Sequence, residues 1–261
     1  MTIAIAQAAL APVLAQPNVR AEQVTQLVLG ETAVVLERTG EWRQVCTQFD
    51  DYGGWIHAGY LLEVEDGAGE EWRSAATGWS EGAVLRIGAG HLPLPLRARV
   101  VLTSDAVRLP DGRVARLIHG SVREMSEAVP AARAKAPERW ALEHFMGTPY
   151  HWGGVTPWGA DCSGLVQTTF AARGTVLPRD SSQQVRCGIS VSLTAIQPGD
   201  LLFFRSETGS AITHVAFAGE GDTLVHSTLA CGGALSEPWL PGHRAASLRE
   251  RLVAVRRLED R

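Results

Sequence analysis

Asp161-Cys162-Ser163-Gly164-Leu165-Val166-Gln167-Thr168-Thr169-Phe170-Ala171-Ala172-Arg173-Gly174 is the stretch on which the reading of the chain turns. A short acidic residue precedes an apolar run at helical spacing, and Gly174 stands where such a helix would stop. The stretch therefore predicts a helix from about Cys162 to Arg173, with Leu165, Val166, Thr169 and Phe170 turned inward. Cys162 then sits at the helix N-terminus, where unpaired backbone N–H groups and the positive end of the dipole favour thiolate over thiol. The same amides are able to hold an oxyanion. A buried structural cysteine behind an Asp161 N-cap fits these four residues equally well.

Two histidines further along shift that balance. Downstream of the helix lie three β-type runs, Asp200 to Phe204, His214 to Phe217 and Thr223 to His226. Gly219-Glu220-Gly221-Asp222 joins the last two as a hairpin turn. Pairing about that turn brings the two imidazoles level or one residue off level, and same-face placement needs an odd loop or a bulge. His214 is then the base for the Cys162 thiol, and His226 orients its ring. His57, His91, His119, His144, His151 and His243 read as ordinary core or surface residues. A zinc site built from Cys162, His214 and His226 is disfavoured, because no two of these ligands have the close spacing of zinc motifs.

Upstream, the texture is different. Trp140, Leu142, Phe145 and Met146 form an amphipathic stripe that ends before Gly147, and the Ala/Pro-rich segment from Ala128 to Pro137 reads as a linker entering it. Before that come only short β-type runs separated by turns. They fall into two groups, one ending at Gly59 to Val64 and one at Gly120 to Met125, divided by an acidic link from Glu65 to Glu71. Two small barrels of short strands follow from that weak echo. The expected division is residues 1–66, 70–127 and 131–261. A helical start followed by an antiparallel sheet makes the last segment α+β. The first strand is expected at Leu10 to Ala15.

Composition excludes several function classes. The 261 residues carry a formal charge of −4 with 45% hydrophobic and 20% charged residues, so a real core is available and no basic field attracts nucleic acid. No apolar stretch is long enough to span a bilayer. The apolar N-terminus lacks the positive segment of an export signal. Four cysteines without close pairing argue against a disulfide scaffold or a Cys-x-x-Cys site, and Cys46, Cys187 and Cys231 read as small core residues.

Residues from about 131 to 261 resemble the catalytic domain of the NlpC-type cell-wall cysteine peptidases, a permuted papain-like fold. The resemblance rests on Gly147-Thr-Pro-Tyr150-His-Trp152-Gly-Gly154, Asp161-Cys162-Ser163-Gly164-Leu165-Val166 and Pro178-Arg179-Asp180-Ser-Ser-Gln-Gln184. It continues through Pro198-Gly199-Asp200-Leu-Leu-Phe-Phe204, Thr213-His214-Val-Ala-Phe217 and Val225-His226-Ser227. It implies Cys162 as nucleophile, His214 as base, His226 as the orienting residue and a Tyr150 hydroxyl directed at the reacting carbonyl. It also implies that Asp161, Ser163, Asp180 and Trp152 line the site that takes the amine end of a short peptide.

The first segment is similar to the bacterial SH3-like domains that precede this peptidase in the YkfC-type γ-D-glutamyl–diamino-acid endopeptidases. The pattern is Glu22 to Gln26, Gly30-Glu31, Trp42, Asp51-Tyr52 and Gly54-Trp55-Ile56. By that likeness Glu22 and Tyr52 hold the α-amine of a leading L-Ala. The implied activity is hydrolysis of the γ-D-Glu–diamino-acid bond in short peptidoglycan peptides, without cofactor, metal, nucleic-acid partner or membrane. The implied setting is cytoplasmic wall-peptide recycling, with export as the alternative. A peptidoglycan-binding module and an amidase or acyl transferase using the same thiol are the competing readings. Diaminopimelate versus lysine, and the oligomeric state, are left open by the sequence.

Overall fold

The computed structural model describes residues 1–258. The chain forms two compact units, the first Met1–Val129 and the second beginning at Pro130.

The first unit opens with a seven-stranded antiparallel sheet. Its strands are β1 (Thr2–Ala6), β2 (Leu10–Leu14), β3 (Gln23–Val28), β4 (Thr32–Thr39), β5 (Trp42–Thr47), β6 (Gly53–His57) and β7 (Leu61–Glu65), in spatial order β3-β2-β6-β5-β4-β1-β7. The chain therefore begins its sheet earlier than expected, at Thr2. The reason is visible in β1: alternate residues serve two cores. Ala4 and Ala6 pack with Val13, Leu27, Val45 and Ile56, while Ile3 and Ile5 pack with Trp72 and Ala76.

The acidic segment expected as a link is instead helical from Asp66 to Ala75 (α1). Tertiary packing outweighs its poor local propensity. Trp72 is buried on Ile3 and Ile5 and donates its indole N–H to the Gly30 carbonyl at 2.8 Å. A β-carbon at Gly69 would lie 2.7 Å from Ile3, so the glycine permits that close approach. Strands β8 (Gly78–Ile87), β9 (Gly90–Leu102), β10 (Val107–Arg108) and β11 (Val114–Glu124) then close a small barrel. Sheet and barrel are tied by a buried ion pair, Arg97 to Glu31 at 2.5 Å. Arg97 holds a left-handed backbone, φ 83°, and its guanidinium stacks 4.1 Å from the Phe49 ring.

The stretch expected as a linker carries α2 (Met125–Arg133), with Pro130 inside it. After α3 (Pro137–Phe145), the hairpin β12 (Val155–Thr156) and β13 (Gly159–Ala160) leads into α4 (Cys162–Ala172) and the short α5 (Ser181–Gln184). A six-stranded sheet completes the unit: β14 (Ile189–Ser190), β15 (Leu201–Arg205), β16 (Ile212–Ala218), β17 (Thr223–Thr228), β18 (Gly233–Pro238) and β19 (Leu252–Arg257), ordered β14-β19-β15-β16-β17-β18. In α3 the expected stripe holds for Trp140 and Phe145, whereas Met146 lies outside the helix and is exposed.

α4 is the central element. All eleven of its residues are buried, because it packs on β16 and β17 with α3 and β12 also against it. Its polar side chains are satisfied internally: Gln167 donates to Leu177 O, Thr168 to Val155 O and Thr169 to Leu165 O. Gly174, φ 75°, ends it as expected.

Candidate active site

Asp161 caps α4 and organises everything around the thiol. One carboxylate oxygen accepts from the Gly164 N–H at 2.8 Å, the Ser163 hydroxyl at 3.2 Å and Arg179 Nη1 at 3.0 Å. The other accepts from the Gly153 N–H at 2.8 Å and Arg179 Nη2 at 2.5 Å. Arg179 is 1% exposed and also donates to Ser163 Oγ at 2.8 Å. Asp161, expected to line the substrate site, accepts from these five donors. The helix start and the preceding loop pack too closely for side chains: a β-carbon at Gly164 would lie 2.0 Å from the Gly154 carbonyl oxygen.

Cys162 is 8% exposed. Burial, followed by the Asp161 carboxylate, pushes its thiol up to about 12, against the pull of Arg179 and the backbone N–H groups of Val215 and Ser163. From a reference of 9.0, that disfavours the thiolate by about 4 kcal/mol. A helix dipole supplies only about 0.3–2 kcal/mol. Burial therefore works against the thiolate that the helix start favours. Its bond from the Val215 N–H sets the thiol against β16, one residue along the strand from His214.

The two histidines meet, but two residues off level rather than level or one residue off as expected. Ala218 pairs with Leu224 and Phe217 with Val225, so the loop Gly219–Thr223 is odd in length. That register sets His226 level with Ala216, two residues from His214 and on the same side. His214 Nε2 lies 2.7 Å from His226 Nδ1. Beyond it, His226 Nε2 lies 2.7 Å from Glu237 Oε1, and Arg244 donates Nε to Glu237 Oε2 at 3.1 Å and Nη2 to Oε1. Burial, then His226, Arg251 and Arg244, hold His214 well below the ordinary imidazole value. An imidazole held neutral in this way is suited to act as a general base.

A thiol, base and orienting imidazole on this fold have counterparts elsewhere. The model of the NlpC/P60 family matches residues 147–239, and that of the bacterial dipeptidyl-peptidase SH3 domain matches residues 13–61. The gamma-D-glutamyl-L-lysine dipeptidyl-peptidase of Bacillus subtilis strain 168 is 30% identical over 214 residues, covering 78% of this chain and 71% of that protein. The chain belongs to the NlpC/P60 family of cysteine peptidases. The protein of the same name from Bacillus cereus is 29% identical, with 78% of this chain and 66% of that one covered. A crystal structure of an NlpC/P60 family protein from Bacillus cereus superposes with a TM-score of 0.83 at 23% identity, over 98% of this chain and 99% of that one. The fold is thus α+β, an SH3-like strand region and small barrel followed by an NlpC/P60 domain.

In this NlpC/P60 peptidase eight of the ten expected site residues belong to the second unit. Tyr150 is half-buried, and burial, then Cys162 and Asp161, push its phenol up to about 12, so it stays a donor. Trp152 is 57% exposed, and Asp180 is partly buried at the start of α5. Glu22 and Tyr52 belong to the first unit: Glu22 is exposed just before β3, and Tyr52 is half-buried in the β5–β6 turn, where its N–H donates to Thr47 Oγ1 at 2.9 Å. Cys231, expected in the core, is exposed. No cluster of three or more His, Cys, Asp or Glu suited to a metal ion occurs among the described residues. Two residues escaped the sequence reading, Glu237 and Arg244. The signal was the strand alternation: His226 pairs with Leu235, so Glu237, two residues on, shares its face.

Proposed function

We propose that the protein hydrolyses the γ-D-glutamyl–diamino-acid bond of short peptidoglycan peptides bearing a free N-terminal L-Ala. The observation that carries this is a buried Cys162 held by the Val215 N–H, one residue along β16 from the hydrogen-bonded His214–His226 pair, in a chain 30% identical to a gamma-D-glutamyl-L-lysine dipeptidyl-peptidase. Cys162 Sγ attacks the γ-carbonyl as His214 takes the thiol proton. The backbone N–H groups at the start of α4 and the Tyr150 hydroxyl hold the developing oxyanion. His214 returns the proton to the leaving α-amine as the C–N bond breaks, leaving a thioester. Water, deprotonated by His214, then attacks the thioester and frees the thiol and the L-Ala-D-Glu acid.

Selection for a free amine follows from carboxylates. Asp180 and the Ser163 hydroxyl are assigned to the substrate ammonium, and Trp152 to the wall of that site; Glu22 and Tyr52 of the first unit are assigned to amine recognition by family likeness alone. A charge-assisted bond to a buried ammonium contributes about 1.5–3 kcal/mol, or roughly 10- to 150-fold in binding. The substrate is a released fragment rather than intact wall, which suits a cytoplasmic recycling enzyme. No helix among the described residues is long and apolar enough to cross a membrane.

Steady-state kinetics on L-Ala-γ-D-Glu-L-Lys and its diaminopimelate analogue, each free and N-acetylated, test this. Acetylation is expected to lower kcat/KM at least tenfold, and Asp180→Asn to raise KM on the free peptides only. Equal cleavage of acetylated and free peptides would overturn the amine-recognition reading.

A further inference from the structure

Beyond the thiol and its base, the site contains a carboxylate with no part in the reaction as written above. Glu237 is 8% exposed at the end of β18 and is held on one side by His226 and on the other by Arg244. We infer that Glu237 is a positioning residue that fixes the tautomers of both histidines, leaving His214 Nδ1 bare for the Cys162 proton. This rests on the reading of Cys162 and His214 as the reacting pair.

Donors and acceptors alternate along a single line from Glu237 to His214. An ionised carboxylate only accepts, so His226 Nε2 must carry a proton to meet Glu237 Oε1 at 2.7 Å. A neutral His226 then has a bare Nδ1. The atom 2.7 Å away, His214 Nε2, must therefore be the donor. His214 in turn keeps its proton on Nε2, and its Nδ1 is the free acceptor. Each link is forced by the one before it. Without the carboxylate, His226 is free to protonate Nδ1 instead. It would then donate to His214 Nε2 and move the His214 proton to Nδ1, where it blocks the base.

Arg244 completes the device. A carboxylate alone would draw a second proton onto His226, and the imidazolium Nδ1–H would impose the same wrong tautomer on His214. Two guanidinium bonds to Glu237 reduce that pull; burial pushes the carboxyl up, but His226 and Arg244 outweigh it and leave the group below its usual range. The titratable and charged groups acting on His214 are accounted for: His226 on β17, and the cations Arg251 and Arg244 from the segment before β19. All disfavour its protonation. Glu237 is the anion that closes the line.

The test reads tautomers directly, apart from turnover. Proton–nitrogen correlation spectra of the full chain, labelled with 15N-histidine, are recorded for wild type, Glu237→Gln and Glu237→Leu. The glutamine variant keeps a carbonyl oxygen that accepts from His226 and so preserves the tautomer order without the charge. The expected wild-type pattern is a bare Nδ1 and protonated Nε2 on both rings. Glu237→Gln retains it, with the acid limb of kcat/KM displaced to lower pH because an anion near the imidazoles is gone. Glu237→Leu mixes the tautomers and lowers kcat by about 10–100-fold with KM little changed, the range usual for outer hydrogen-bond partners of functional histidines. Wild-type tautomers in Glu237→Leu, or an Nδ1-protonated His214 in the wild type, would overturn the assignment. If Glu237→Leu fails to fold, an unmoved acid limb in Glu237→Gln overturns it instead. An active Cys162→Ala enzyme would refute the nucleophile reading and leave these spectra untouched, so the two failures are distinguishable.

Discussion

Replacing Arg179 by methionine should unfold the catalytic unit at a much lower temperature while leaving its volume filled. The guanidinium is 1% exposed and meets both oxygens of Asp161, itself 5% exposed. Removing one member of a buried pair strands the other charge and costs about 3–5 kcal/mol, whereas an exposed pair contributes at most about 1 kcal/mol. Asp161 would keep its bonds from Gly153, Gly164 and Ser163, so the lower half of that range applies. For a unit of this size 1 kcal/mol shifts Tm by about 3–4 °C, which makes the expected fall roughly 9–16 °C. Differential scanning calorimetry on wild type, Arg179→Met, Asp161→Asn and the double variant measures it. The double variant should be more stable than the sum of the single effects predicts, since neither charge is then stranded. A fall of less than about 3 °C in Arg179→Met, or strict additivity, would refute the view that this pair holds the helix start in place.

Three other outcomes follow from the site. Since His214 must be neutral to act and its imidazole is held below 6.5, kcat/KM should stay level as pH falls through 6.5 and decline only below it; a midpoint at or above 6.5 contradicts this. Because the Cys162 thiol lies near 12, the rate should not climb between pH 8 and 10, and at pH 8 iodoacetamide should label exposed Cys231 before buried Cys162, as read by peptide mass mapping. Gly164→Ala should destabilise by about 1–3 kcal/mol in urea denaturation, although alanine is favoured in a helix by about 1 kcal/mol, because its β-carbon meets the Gly154 carbonyl; a stabilised variant would show that the loop gives way.

The parts of this molecule that sequence reveals are those with local signals. Asp161, Gly174 and the apolar run between them announce α4, and an odd loop between His214 and His226 is what same-side imidazoles require. Other features depend on partners far away in the chain. The acidic stretch at Asp66 folds as a helix because Trp72 reaches Ile3 and Ile5, and β1 belongs to the sheet because its alternate faces find separate cores. Glu237 becomes visible only when β18 is registered against β17, eleven residues from the histidine it meets. The thiol is the instructive case. Position at a helix start argues for a thiolate, but burial together with Asp161 works against it, and burial is not written in any local motif.

The central claim is that Cys162 opens the γ-D-glutamyl bond of a small peptide. Mass analysis of L-Ala-γ-D-Glu-L-Lys and its diaminopimelate analogue, incubated with wild type and with Cys162→Ala, tests it most directly. The account predicts L-Ala-D-Glu plus the free diamino acid from wild type, with a thioester trapped on Cys162 by rapid acid quench, and no product from the alanine variant. Intact peptide after wild-type incubation, or equal product from both proteins, would contradict it.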